Sequence, residues 1–167
     1  RTFVPHRPTA ARSTTRSVPR FDVDKLRPFE VMFADNKDYD GKDIYGGYRT
    51  SFVLICLKTQ AKFKVDLTTK TANGNAFKSI MSENGVTKLP YKCTIYTDGD
   101  GSMVHVKRAA EHELDINHVY IPPHEQSLNE AEKVCDRMWA AGRTHLIASG
   151  APERLMPFAV SYAFYVD

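Results

Sequence analysis

Apolar and polar residues alternate along several short stretches of the chain and recur at helical spacing along others. Phe29 to Asp35 reads as a strand closed by an acid. Asp35 to Gly47 is polar and rich in Asp and Gly, and reads as a loop or hairpin turn. Tyr48 to Leu57 and Ala61 to Leu67 are β-rich runs split by a short Lys-Thr-Gln turn, which predicts a hairpin. In the second run Phe63, Val65 and Leu67 alternate with Lys62, Lys64 and Asp66, so one face is expected to be wet. Ala72 to Glu83 puts Ala76, Phe77, Ile80 and Met81 on one helical face, and Asn84-Gly85 is its stop. Tyr91 to Thr97 is a fourth strand, again followed by an acid, Asp98. Ser102 to Leu114 reads as a helix, and Ile116 to Ile121 as a fifth strand ended by Pro122-Pro123. Ser127-Leu-Asn-Glu130 fits a capping box, predicting a helix from about Leu128 to Ala141 with Gly142 as its end. A last helix fits Pro152 to Tyr165. A hairpin ladder followed by strands alternating with helices predicts an α/β protein: a mixed five-stranded sheet with helices on both faces.

Composition narrows the class. A chain of 167 residues that is 42% hydrophobic can bury a core of its own, which excludes collagen-like and fully disordered proteins. The longest apolar run, Phe52 to Leu57, is strand-sized and far below the ~18 residues of a membrane span. No membrane partner is expected. The sequence starts at Arg1 and is read as a piece of a longer protein. Cys56, Cys93 and Cys135 are far apart and odd in number, which argues for buried free thiols over a disulfide scaffold or a zinc site. The net charge of +3 conceals an asymmetry. Residues 1–20 carry Arg1, Arg7, Arg12, Arg16 and Arg20 and no acid, so the rest of the chain is slightly acidic. With Pro5, Pro8 and Pro19 this predicts a basic arm or linker over residues 1–27 and a folded domain over residues 28–167. Such an arm suits an acidic polymer such as a nucleic acid backbone.

Three acids carry the candidate chemistry. Asp35 and Asp98 follow apolar strands, and groups at strand ends of an open α/β sheet project into the crevice where ligands bind. Glu132 falls in the first turns of the helix after the fifth strand. An oxygen-only set of this kind suits Mg²⁺ or Mn²⁺ rather than zinc. Two such ions about 3.5–4 Å apart can activate a water or hydroxyl and stabilise the leaving oxygen in phosphodiester cleavage. Without metal, clustered carboxylates raise one another's pKa. Taken singly, a strand-end Asp also serves as a turn former, and an acid near a helix start complements the dipole.

The residues around these acids resemble a known family. Tyr96-Thr-Asp98-Gly-Asp-Gly-Ser102 is similar to the Thr-Asp-Asn-Gly-Ser block of retroviral and retrotransposon integrases. Pro122 to Lys133, which contains Gln126-Ser127 and Glu132, resembles their Pro-x-x-x-Gln-Ser-x-Gly-x-x-Glu block. Phe29 to Asp35 resembles the strand ending in their first catalytic Asp. Asp115-Ile-Asn-His118 and Phe158 to Tyr165 resemble segments of copia-type LTR retrotransposon integrases. The resemblance covers roughly Phe29 to the C-terminus and implies a ribonuclease-H-like fold. It implies an integrase core in which Asp35, Asp98 and Glu132 are catalytic and bind two Mg²⁺ or Mn²⁺. Water would trim a DNA 3′ end, whose hydroxyl would then attack a target phosphodiester. The implied partners are double-stranded DNA, at the element ends and the target, and further copies of the chain in a homodimer or higher multimer. The implied location is nuclear, with a cytoplasmic phase. Two positions depart from the pattern: Gly99 stands for the usual Asn, and Asn129 for the usual Gly. A catalytically inactive, integrase-derived DNA- or protein-binding domain is the alternative.

Around the acids, Gln126 and Ser127 are candidates for binding the DNA end. Lys133 and Arg137, at i and i+4 on the Glu132 helix, are candidates for phosphate contacts. Glu130 competes with Glu132 as third ligand, although the capping box already accounts for it. His124 precedes the helix closely enough to assist proton transfer. Asn36 to Gly41 begins like a calcium loop, but Gly47 stands where a bidentate Glu is needed, and the flanks read as strands.

Overall fold

The structure is a computed structural model and describes residues 18–41 and 43–166. The arm's arginines up to Arg16 lie outside these. The strands are β1 (Val31–Asp38), β2 (Thr50–Cys56), β3 (Lys62–Leu67), β4 (Thr94–Thr97) and β5 (Asn117–Tyr120). The helices are α1 (Asn73–Glu83), α2 (Val104–Arg108), α3 (Glu130–Ser149) and α4 (Met156–Val166). The sheet order is β3-β2-β1-β4-β5. β1, β2 and β3 pair antiparallel, whereas β4 runs parallel to β1, and β5 parallel to β4. This is the mixed sheet that the pattern predicts, with helices on both faces.

Alternation along β1 explains the two-sided core. Val31 and Phe33 join Val53, Ile55 and Tyr96 beneath α3 and α4, with Val134, Met138, Trp139 and Val160. Met32 and Ala34 join Phe52, Leu54 and Ile95 on the opposite face, beneath α1 and α2, with Phe77, Met81 and Val106. A strand buried on both faces reads as a continuous apolar run, as Phe52 to Leu57 does. All three cysteines are free and buried. Among the described residues no helix is long and apolar enough to cross a membrane.

Several boundaries differ from the sequence reading, each for a local reason. Asp35 does not end its strand: β1 continues to Asp38 by pairing with β2. The helix expected over Ser102–Leu114 is a short α2 followed by a π turn over Ala109–Glu113. Ser127 does not cap α3. It lies in a 3₁₀ segment over Pro123–Leu128, and the cap is Asn129, whose side-chain oxygen accepts the Ala131 N–H at 3.1 Å. Gly142 does not end α3, which runs on to Ser149 and stops at Gly150 with φ of 65°. Gly142 is instead a contact point. A Cβ there would lie 2.8 Å from Val160 Cγ2 and 3.1 Å from its backbone nitrogen, so the glycine lets α4 approach α3. Gly142→Ala is expected to lower stability by about 1–3 kcal/mol through overpacking, despite the roughly 1 kcal/mol that Ala gains over Gly inside a helix. Urea unfolding measures it, and a stabilised variant would mean that the helices have room.

The face of β3 expected to be wet is covered by α4. The Lys64 side chain is 5% exposed and pairs with Asp66 at 2.6 Å. Its ammonium also donates to Ser161 Oγ at 2.8 Å. Asp66 accepts from Tyr39 Oη at 2.6 Å and also from Ser51. Burial holds the Lys64 pKa below the usual lysine range, against the pull of Asp66. Lys64, Asp66, Tyr39, Ser51 and Ser161 thus partner one another beneath α4, which is the condition for burying them.

Candidate active site

The ladder between β1 and β4 sets the site. Its last parallel pair is Ala34 with Thr97, so Asp35 and Asp98 are the next residues on neighbouring strands. Adjacent strands lie about 4.8 Å apart, which brings the two carboxylates to one edge of the sheet. β4 stops there while β1 runs on against β2, leaving Asp35 half-buried at a step in the sheet. Its Oδ1 accepts the Asn36 N–H at 2.7 Å. Asp98 Oδ1 accepts the Asp100 N–H at 3.3 Å.

Burial, and next to it the charge of Asp98, pushes the Asp35 carboxyl up to about 7; Glu132 adds to this, while the Asn36 N–H and Lys37 oppose it. Burial also raises Asp98, against the Asp100 N–H and Lys70. Asp35 therefore feels both other acids. Asn129 brings α3 against β1: its Nδ2 reaches the Ala34 carbonyl at 3.5 Å, and Glu132 follows in the helix's first turn. Glu130 is engaged elsewhere, at 2.7 Å from Lys133 Nζ. As they stand, no three His, Cys, Asp or Glu side chains among the described residues are gathered as a metal-binding group.

Of the other candidates, His124, Gln126, Ser127 and Lys133 line a groove of about 520 Å³ together with Pro123, Glu132 and Asp136. Gln126 and Ser127 are exposed on it. Arg137 is exposed on α3 outside this lining. His124 is 76% exposed, beside Glu125 at 3.6 Å. The segment read as the start of a calcium loop is the end of β1 and a loop whose acids have protein partners: Asp38 pairs with Lys70 at 3.1 Å, and Asp40 with Arg143 at 3.4 Å.

Four further side chains lie near the acids: Ser102 and His118 fall in the family-like blocks and Asn36 in the calcium-like loop, while Lys70 carries no sequence signal. Lys70, between β3 and α1, lies 3.6 Å from Asp100 and places a cation beside Asp98. Ser102 bonds Asp100 at 2.9 Å and accepts from Asn36 Nδ2 at 2.9 Å, tying the loop after β4 to β1. Asn36 Oδ1 is buried without a partner. His118 Nε2 lies 2.9 Å from Thr97 Oγ1, which donates to the Asp98 carbonyl. Burial and Lys107 hold that histidine down to about 4, so it is neutral at pH 7.

This strand order, β3-β2-β1-β4-β5 with helices on both faces, is the ribonuclease-H-like fold of integrase cores; Asp35 lies within β1, Asp98 directly after β4, and Glu132 on α3. The chain is similar to the catalytic core domain of HTLV-2 integrase solved in complex with magnesium, in trimeric form, with a TM-score of 0.57 and 16% identity over 84% of this chain and 85% of that one. The dimeric form of the same core matches with the same score and identity. It is also similar to a chain of the simian T-cell lymphotropic virus intasome solved with a PP2A regulatory subunit, with a TM-score of 0.62 and 14% identity over 90% of this chain and 51% of that one. No protein-family model and no curated protein matches the sequence.

Proposed function

We propose that the chain is the catalytic core of a DNA integrase, from a copia-type LTR retrotransposon, that cleaves and rejoins DNA phosphodiesters. The observation that carries this reading is the placement of Asp35 and Asp98 side by side at the end of the β1–β4 ladder, with Glu132 acting on Asp35 from α3. The donor set fits a hard divalent cation: three carboxylates, one of them desolvated and pressed by like charge, gain most from a cation between them. Asp35, Asp98 and Glu132 would hold Mg²⁺ or Mn²⁺. When bound, the two ions would activate the attacking water or 3′-hydroxyl and stabilise the leaving oxygen.

The chain's own residues do the rest. Asp35 sits within β1 and Asp98 directly after β4, on or next to backbone fixed by neighbouring strands, so little reorganisation is needed on one side of the site. Gln126 and Ser127 offer hydrogen bonds to a DNA end from the rim of the groove. Lys133 and Arg137 offer positive charge to its phosphates. Lys133→Ala is expected to weaken binding of a double-stranded DNA end about three- to tenfold and to reduce the salt dependence by roughly one counterion. Anisotropy titrations at several salt concentrations measure both.

Double-stranded DNA as partner, assembly into a dimer or larger multimer, and work in the nucleus after a cytoplasmic phase belong to the same proposal. The open spacing of the three acids favours a second reading, an integrase-derived domain that binds DNA or protein without catalysis. Nicking and strand transfer on supercoiled plasmid, in Mg²⁺, Mn²⁺ or EDTA, separate the two. The first reading expects activity with metal and none with EDTA; DNA binding without cleavage in either metal would favour the second.

A further inference from the structure

We infer that residues 18–26 form a strap that positions the turn carrying Gln126 and Ser127, with Glu125 and Phe21 as its positioning residues. The consequence for DNA binding rests on the function proposed above; the mechanical claim does not.

The strap is fastened at three places. The Val18 N–H donates to Glu125 Oε2 at 2.7 Å, across 107 residues of sequence. The Glu125 side chain is 19% exposed, so this charge-assisted bond is shielded from water. Phe21 meets Phe33 and Tyr96 edge-on, with centroids 6.3 and 5.5 Å away, and those two rings stack at 5.3 Å. Beyond Phe21, Lys58 Nζ donates to the Val23 and Asp24 carbonyls at 3.2 and 2.9 Å. One short segment thus joins β1, β4, the β2–β3 turn and the Pro123–Leu128 turn.

That last turn lies at the surface. Six residues is long for a 3₁₀ segment, whose hydrogen bonds are poorer than those of an α-helix. None of its side chains is buried. Its ends are fixed by buried Pro122 and Asn129, and the backbone bonds Glu125 N to Pro122 O and Asn129 N to Gln126 O add to those within the 3₁₀ segment itself. Glu125 is its hold in between, and Gln126 and Ser127 follow directly. The strap does not pack continuously on the turn: a cavity of about 540 Å³ lies between them, lined among others by Val18, Phe21, Leu57, Glu125 and Leu128. Point contacts across a void are sensitive to single substitutions, and a small shift of positioning groups weakens binding and reaction alike.

The test uses the full chain with Glu125→Ala, Glu125→Gln and Phe21→Ala. Hydrogen exchange at the Glu125 and Asn129 amides is expected to quicken about tenfold in both alanine variants, while amides of β1 and β2 stay unchanged. Glu125→Gln keeps an acceptor for the Val18 N–H and is expected to exchange like the wild type. In strand transfer, KM for a DNA end is expected to rise about fivefold in Glu125→Ala with kcat unchanged, and Glu125→Gln to restore it. Should Phe21→Ala loosen the core amides as well, the Glu125 pair decides alone. Turn amides as slow in Glu125→Ala as in the wild type, or as fast in Glu125→Gln as in Glu125→Ala, would overturn the strap. Exchange answers this even in a chain without activity, so failure of the strap and failure of the integrase reading are separate results.

Discussion

Asp98→Asn and Glu132→Gln, made singly in the full chain, are each expected to lower metal-dependent nicking and strand transfer by about a thousandfold or more. Each change keeps the shape of the side chain and removes the charge that would hold a cation. The fold is expected to survive. Asp98 is a carboxylate whose pKa is raised by burial, so a neutral amide removes a desolvation cost rather than a favourable pair. Glu130→Gln is the control. Its carboxylate faces Lys133 at 2.7 Å, and its loss is expected to leave activity within about twofold, the ordinary size of an exposed ion pair's effect. Equal losses in Glu130→Gln and Glu132→Gln would reassign the third ligand. Activity retained in Asp98→Asn would remove the proposed site altogether.

Relative to Asp35→Asn, the metal-free chain is expected to lose stability as pH rises from about 4 to about 7, by as much as roughly 4 kcal/mol, over a range in which His118, held down to about 4, works in the opposite direction. Asp35 is the cause. Burial and the charge of Asp98 push its carboxyl up to about 7 in the folded protein, against about 4 in an unfolded chain. Between these values the unfolded chain releases a proton that the folded chain keeps, so each step up in pH favours unfolding. Below pH 4 both states hold the proton and the penalty vanishes; above pH 7 both have released it and the penalty is complete. Asp35→Asn is expected to remove this contribution and to raise the thermal midpoint of the metal-free protein at pH 7.5. Mg²⁺ or Mn²⁺ is expected to raise the midpoint of the wild type at that pH and to leave Asp35→Asn where it was, because ligand binding to the folded state alone stabilises it. Thermal unfolding across pH, with and without metal, measures all of this. A difference between the wild-type and Asp35→Asn midpoints that is flat with pH would contradict the burial of Asp35 beside Asp98.

The architecture was legible because local pattern and tertiary environment agree. The apolar run through Phe52 to Leu57 marks a strand covered on both faces, and β2 is buried along its whole length. The position of Asp98 directly after β4 could be read as well, since an apolar run leads into it, whereas Asp35 lies inside β1, which continues to Asp38. Their adjacency could not, because it depends on the parallel register of β1 with β4 across an intervening hairpin and helix. Elsewhere tertiary contact overrode local signals. Gly142 has the residue type of a helix stop, yet it serves the approach of α4 at Val160. Lys64 and Asp66 alternate like a solvated face, yet α4 covers them and they pair with each other. Ser127 and Glu130 match a capping box, but Asn129 lies closer to the buried end of the turn and takes the cap. Lys70 stands near Asp98 only because the turn before α1 folds back toward the loop after β4.

The central claim is that Asp35, Asp98 and Glu132 together take up a divalent cation. Calorimetric titration of Mn²⁺ into the full chain at pH 7.5 tests it most directly. The account predicts saturable binding in the wild type, abolished in Asp35→Asn and Asp98→Asn and weakened at least tenfold in Glu132→Gln. Absence of binding in the wild type, or equal binding in all four proteins, would contradict it.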